Sequence, residues 1–130
     1  MKFVKTKEAP KAIGPYSQAI VVNGMVYTSG QIALNTNGEM VGNDVETQTH
    51  QVMKNLQFVL QAAGSAYNDV IKTTIFLADM DDFLKVNKIY AEYFGSHKPA
   101  RSTVAVKTLP KNALVEIDCI ALCEAHVNFG

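Results

Sequence analysis

Apolar side chains recur along this chain with two periods, and the switches between them predict the order β-β-β-α-β-α-β-β. Residues 2–6 read as a short, partly charged strand suited to a sheet edge. Ala19-Ile20-Val21-Val22 and residues 25–29 are joined by Asn23-Gly24, a strong hairpin signal. In residues 44–63, Val45, Thr49, Val52, Leu56, Val59, Leu60 and Ala63 fall on one helical face. Asn43 or Asp44 can cap that helix and Gly64 can end it, and nothing on its polar face suggests catalysis. Residues 69–77 are β-branched and suit a central strand. A second helix, 81–94, opens on Asp79-Met80-Asp81-Asp82, carboxylates favourable at a positive helix end. Its apolar face is Phe83, Val86, Tyr90 and Phe94, with Ile89 and Tyr93 alongside; Asn87, one turn after Phe83, can turn toward the sheet as a polar contact. Gly95 closes it.

Two amphipathic helices can cover one side of a mixed sheet. The other side is then left open. It is expected to carry Arg101, Thr103, Glu116, Ile120 and Leu122, and a half-apolar open face on a small domain points to subunit association. The last two strands each hold a charge among apolar neighbours. In the first, Val104 and Val106 share one face and Arg101, Thr103 and Ala105 the other. In the second, Val115, Ile117, Cys119, Ala121 and Cys123 form an apolar face, with Glu116 and Asp118 opposite. A semi-buried carboxylate needs a partner or a task. Two readings stand at this point: Arg101 and Glu116 neutralise one another within the sheet, or both serve a site. Tyr16, leaving the Gly14-Pro15 turn, either lies over the core edge or holds its phenol above a pocket. Gly30, at a strand end, permits either close approach to the backbone or a bend.

Composition narrows the classes. The 130 residues are read as one domain, 1–130, with 48% hydrophobic and 18% charged residues. Zero net charge provides no electrostatic footprint for nucleic acid or an anionic membrane. The first residues hold no apolar leader and no later run approaches a membrane span, so a cytoplasmic location is expected. Cys119 and Cys123, four apart on one strand face, stand roughly 13 Å apart, too far for a disulfide or shared coordination. They are read as small core residues. His50, His97 and His126 are scattered, and the Asp79–82 carboxylates read more economically as a helix start than as a metal site. No metal or cofactor is expected.

Pro99-Ala100-Arg101-Ser102, through Leu109-Pro110-Lys111 to Val115-Glu116-Ile117, resembles the signature of the reactive intermediate deaminase family, also called the YjgF-type family. The resemblance extends to Ala12-Ile13-Gly14-Pro15-Tyr16-Ser17-Gln18, Thr28-Ser29-Gly30-Gln31 and Val70-Ile71-Lys72-Thr73-Thr74, nearly the whole chain in order. It implies an α+β, chorismate-mutase-like fold: a mixed sheet with two helices on one face, assembled as a homotrimer with clefts between subunits. It further implies hydrolysis of 2-imino and enamine acids (2-aminoacrylate, 2-iminopropanoate, 2-iminobutanoate) released by pyridoxal-phosphate dehydratases, giving 2-oxo acids and ammonia. On the matching positions, Arg101 would bind the substrate carboxylate, with Gly30 and Thr103 offering main chain, and Ser29 and Asn87 joining the binding set. Glu116 and Tyr16 would position and activate water. Many relatives have cysteine where this chain has Thr103, which argues against obligatory thiol chemistry. Two other functions remain open: a non-enzymatic, small-carboxylate-binding regulatory module of purine or amino-acid metabolism, and RNA cleavage. Zero net charge and the lack of a basic stripe weigh against the second.

Overall fold

Asn23 and Gly24 both adopt positive φ, 50° and 74°, the backbone of a type I′ turn. In the computed structural model, which describes residues 1–123, this turn closes the hairpin of β2 (Ala19–Val22) and β3 (Met25–Thr28). β1 (Lys2–Val4) adds antiparallel to β2 at one edge. It is shorter than the expected 2–6 because the chain then leaves the ladder, and the Thr6 amide donates to Gln18 Oε1 at 2.7 Å instead. β6 (Val115–Leu122) lies between β3 and β4 (Val70–Leu77), antiparallel to both. β5 (Ala100–Ala105) runs parallel to β4 and forms the other edge, so the sheet order is β1-β2-β3-β6-β4-β5. This is the expected α+β architecture, with β4 inside the sheet.

Both helices follow from local chemistry. α1 (Val45–Ala62) begins at Asp44, whose carboxylate accepts the Thr47 amide at 2.8 Å. α2 (Phe83–Phe94) starts two residues later than expected, because Met80–Asp82 tightens into a 3-10 turn in which Asp79 accepts the Asp81 amide at 2.9 Å. The acidic cluster therefore serves as a helix start. Val52, Leu56, Val59 and Leu60 of α1 and Val86, Tyr90 and Phe94 of α2 are buried with Val26, Ile75, Leu77, Val115, Ile117, Cys119 and Ala121 of the sheet. Cys119 and Cys123 are free and buried in this layer, and burial pushes the Cys119 thiol up to about 12. Three buried polar residues of α1 have structural partners. Thr49 donates to its own helix; Gln48 accepts the Leu114 amide at 2.9 Å; Asn55 donates to the Leu34 and Ile32 carbonyls.

Strand pairing decides which side chains share a face. Thr73, Ile75 and Leu77 of β4 stand beside Cys119, Ile117 and Val115 of β6, under the helices. Thr74 and Phe76 stand beside Asp118 and Glu116, on the open side. The pairs Ile20↔Tyr27, Val22↔Met25, Met25↔Leu122 and Tyr27↔Ile120 extend that open side into a broad, partly apolar surface. Glu116, Ile120 and Leu122 lie there as expected. Arg101 and Thr103 do not: the parallel register sets Arg101 beside Thr73 and Thr103 beside Ile75, on the helix-covered face. Alternation along a strand relates its own residues to one another, but only pairing fixes its phase against a neighbour.

His50 and His97 sit apart, the first 2.8 Å from the Tyr93 hydroxyl and the second 2.6 Å from the Val70 carbonyl; His126 lies outside the described residues. Among the described residues no helix is long and apolar enough to cross a membrane.

Candidate active site

The expected site residues fall into two groups on opposite faces of the sheet. On the open side, Tyr16, Gly30 and Glu116 line one cavity of about 500 Å³, together with Lys11, Gln31 and Lys111. Beyond β3, Gln31 pairs with Ile117, its amide donating to the Ile117 carbonyl at 2.9 Å and its carbonyl accepting at 3.1 Å. That antiparallel bridge puts residues 30 and 116 on the same face as diagonal neighbours, with the Glu116 side chain leaning over Gly30. A methyl group on Gly30 would stand 2.4 Å from Glu116 Oε2, so a side chain, not a bend, requires glycine here. Ser29 anchors the neighbouring loop. Its amide donates to the Gln18 carbonyl at 2.9 Å and its hydroxyl to the Ser17 carbonyl at 2.5 Å. The hydroxyl proton of Ser29 is thus committed to the main chain. Gln18, buried, donates to the Pro10 carbonyl at 2.8 Å and holds the Thr6 amide and carbonyl, completing the support beneath Tyr16.

Tyr16 follows Gly14, at φ 126°, with its amide donating back to the Gly14 carbonyl at 2.9 Å. This tight turn leaves the ring more than half exposed at the cavity rim. The turn at 110–112 is strained: Lys111 takes φ 55° and ψ 28°, and Asn112 φ 55°. It brings Lys111 to the same cavity, its Nζ 3.4 Å from the Gly38 carbonyl. Glu116 is half-buried, and its carboxyl is raised above the ordinary range first by burial and then by the like charge of Asp118. Asp118 is also raised, by burial, against the opposing effects of Lys72 and a Thr74 hydrogen bond. A carboxyl raised by burial at a cavity wall has the chemistry of a general acid/base group.

On the helix-covered side stands Arg101, the sole arginine of the chain. Its Nη1 donates to Asn87 Oδ1 at 2.6 Å, and its guanidinium carbon lies 5.5 Å from the Phe83 ring centre and 5.0 Å from that of Tyr90. The Tyr90 hydroxyl is 2.7 Å from Thr73 Oγ1, on the residue paired with Arg101. Asn87 does point toward the sheet, as its position in the helix suggested. Thr103 Oγ1 is buried without a hydrogen-bond partner among the described residues.

β4 separates β5 from β6, and Arg101 and Glu116 project from opposite faces. The reading in which they neutralise each other within one chain is therefore overturned. Phe83, Tyr90 and Thr73 were legible only as core or strand residues. The available signal was their company: a lone arginine facing helix positions 83, 87 and 90. Lys111 stood in the Leu109-Pro110-Lys111 stretch of the resemblance without an assigned role, and the turn that brings it to the cavity adopts a conformation lysine does not favour.

This fold, with its cavity of tyrosine, glycine and glutamate and its separate arginine, belongs to a recognisable class. Residues 6–123 match the Endoribonuclease L-PSP family, and the chain is a member of that family, the YjgF/RutC group. The human 2-iminobutanoate/2-iminopropanoate deaminase is 43% identical over 122 residues, covering 93% of this chain and 89% of the human protein. A Lactococcus lactis relative bearing a regulator's name, AldR, is 54% identical over 122 residues, covering 93% of this chain and 97% of its own. Among solved structures, that of E. coli TdcF with bound serine superposes with a TM-score of 0.89 at 40% identity, covering 94% of this chain and 98% of TdcF. The relatives named as deaminases support a deaminase role for the family.

Proposed function

We propose that this protein hydrolyses 2-imino and enamine acids, among them 2-aminoacrylate, 2-iminopropanoate and 2-iminobutanoate, to 2-oxo acids and ammonia. We further propose that it acts as a homotrimer with its sites between subunits. The observation that carries this reading is the Glu116 carboxyl, seated over Gly30 in a cavity with Tyr16 and raised by burial. Glu116 accepts a proton from water as the water oxygen bonds to the imine carbon and the C=N electron pair moves to nitrogen. Glu116 returns that proton to the nitrogen, giving the carbinolamine. The carbinolamine hydroxyl then gives its proton to Glu116, which passes it to the amine, so that the C–N bond breaks, a C=O bond forms and ammonia departs. An enamine enters the same sequence as its imine tautomer. Tyr16 positions the water from the rim, and the main chain at Gly30 and Thr103 borders the substrate. Since an imine is already electrophilic, the reaction calls for no metal or cofactor. An acid/base group in position commonly contributes about 10²–10⁴ in rate.

Arg101 is the substrate's carboxylate anchor in this reading, its planar fork suited to a two-pronged contact. It stands on the face opposite Glu116, and β5 is an edge strand. A complete site therefore joins Arg101 of one subunit to Glu116 of another. The half-apolar open face, carrying Tyr27, Ile120 and Leu122, supplies the surface for that association.

The test couples the protein to a threonine or serine dehydratase and follows 2-oxo acid release with an amine trap present. Faster release than the uncatalysed rate is expected; no acceleration would refute the assignment. Arg101→Ala and Glu116→Gln trimers, each inactive, should regain activity when dissociated and reassembled together, with about a quarter of clefts intact at equal mixing. No recovery in confirmed mixed trimers would place both residues in one subunit's site. Light scattering showing a stable monomer at micromolar concentration would remove the trimer. A regulatory module is the second reading, favoured by the name of the Lactococcus relative; carboxylate binding without turnover would select it. An endoribonuclease reading fits poorly with zero net charge.

A further inference from the structure

Arg101 is held before any substrate arrives. Phe83, Asn87 and Tyr90 present one face of α2 toward β5, and all three approach the guanidinium. The two rings lie within cation–π range of its carbon. Asn87 accepts one N–H in a short, charge-assisted bond. The Tyr90 ring is itself pinned, since its hydroxyl bonds to Thr73 on the strand beside Arg101. Thr73 and Tyr90 are both buried, so this support does not depend on solvent. The ring contacts consume no N–H donor and Asn87 takes one, so among the described residues the rest of the fork is left for an anion.

We propose that Asn87, Phe83 and Tyr90 form a cradle that fixes the Arg101 guanidinium for a substrate carboxylate. Asn87 is then a positioning residue acting through Arg101, and not a substrate ligand as its place in the binding set implied. The proposal rests on the deaminase reading for its consequence, but the cradle itself is a property of the free protein. A long, flexible arginine loses considerable rotamer freedom when it clamps a ligand. Prior fixing removes that cost from binding and sets the angle at which the imine carbon meets the water on Glu116. Lysine could not use the site in the same way, having neither a planar group to lie over the rings nor a fork to share between Asn87 and the carboxylate.

Because Arg101 is the only arginine, its side-chain nitrogen signals can be assigned without ambiguity in a ¹⁵N-labelled sample. The wild-type protein should show separate Nη resonances, the sign of hindered rotation. Asn87→Leu, close in volume and lacking the acceptor, should merge them while the melting temperature stays near wild type. Its kcat/KM for an imino acid should fall about tenfold. In an Arg101→Lys background, Asn87→Leu should cause no further loss, because the group it positions is gone. Tyr90→Leu, which removes a ring but leaves Asn87, should broaden the same resonances. Unchanged Nη signals in Asn87→Leu would overturn the cradle, and so would an additional loss in the Arg101→Lys background, which would mean that Asn87 touches substrate directly. If wild type turns over no imine at all, the deaminase reading fails, and the Nη signals of wild type and Asn87→Leu still decide the cradle.

Discussion

Gly30→Ala perturbs the proposed chemistry while adding a single methyl group. That methyl carbon would stand 2.4 Å from Glu116 Oε2, 2.8 Å from Cδ and 3.1 Å from Cγ. Comfortable contact begins at about 3.4 Å, so the carboxylate must retreat by about 1 Å. A displacement of about 1 Å from reacting geometry commonly costs about 10²-fold in rate. The fold should tolerate the change. Gly30 is not among the positive-φ glycines, so alanine restricts the unfolded chain and contributes about 0.4–1 kcal/mol of stability. Moving the Glu116 side chain off its preferred rotamer costs about 0.5–1.5 kcal/mol. These nearly cancel, and the melting temperature should shift by only a few degrees. The assay is the dehydratase-coupled rate and a thermal melt on one preparation. A fall of about 10² in kcat/KM with a near-normal melt is expected. Full activity in Gly30→Ala, or a loss explained entirely by unfolding, would refute the claim that Glu116 is held in working position over Gly30.

Three further outcomes follow from the same structure. Glu116 binds its proton more tightly folded than unfolded, so between its ordinary value of 4.5 and its raised one the folded state carries more protons and stability falls as pH rises. Glu116→Gln should flatten that part of a melting-temperature profile, and an unaltered slope would show that other groups set it. Thr103→Val removes a buried hydroxyl that has no partner among the described residues, so stability should hold or rise by up to about 2 kcal/mol in denaturant titration. Most imine turnover should remain, and a loss as deep as that of Glu116→Ala would reveal a chemical role for the hydroxyl. Turnover should also survive chelation, because water attacks an imine without Lewis-acid help; activity lost to a chelator and restored by one particular metal would disprove this.

Much of this protein was determined by its linear order. Asn23-Gly24 dictates its own hairpin because both residues tolerate positive φ. The α1 stripe from Val45 to Leu60 predicts its buried face, since helical spacing alone brings those side chains together. Glu116 opposite Ile117 and Val115 was legible for the same reason, as adjacent residues of one strand must point apart. Motifs spread from Ala12 to Ile117 likewise carried the resemblance to the family that residues 6–123 match. Tertiary structure decided the relations between strands. The parallel pairing of Arg101 with Thr73 turned the arginine under α2 and away from Glu116, and the Gln31–Ile117 bridge laid Glu116 over Gly30. Asn87, one polar residue on an apolar helix face, became the partner of Arg101 only when α2 settled on β5. Periodicity acts within an element, whereas register and packing phase arise from contacts distant in sequence; hence the two halves of the site could be named from the chain, but not set on their opposite faces.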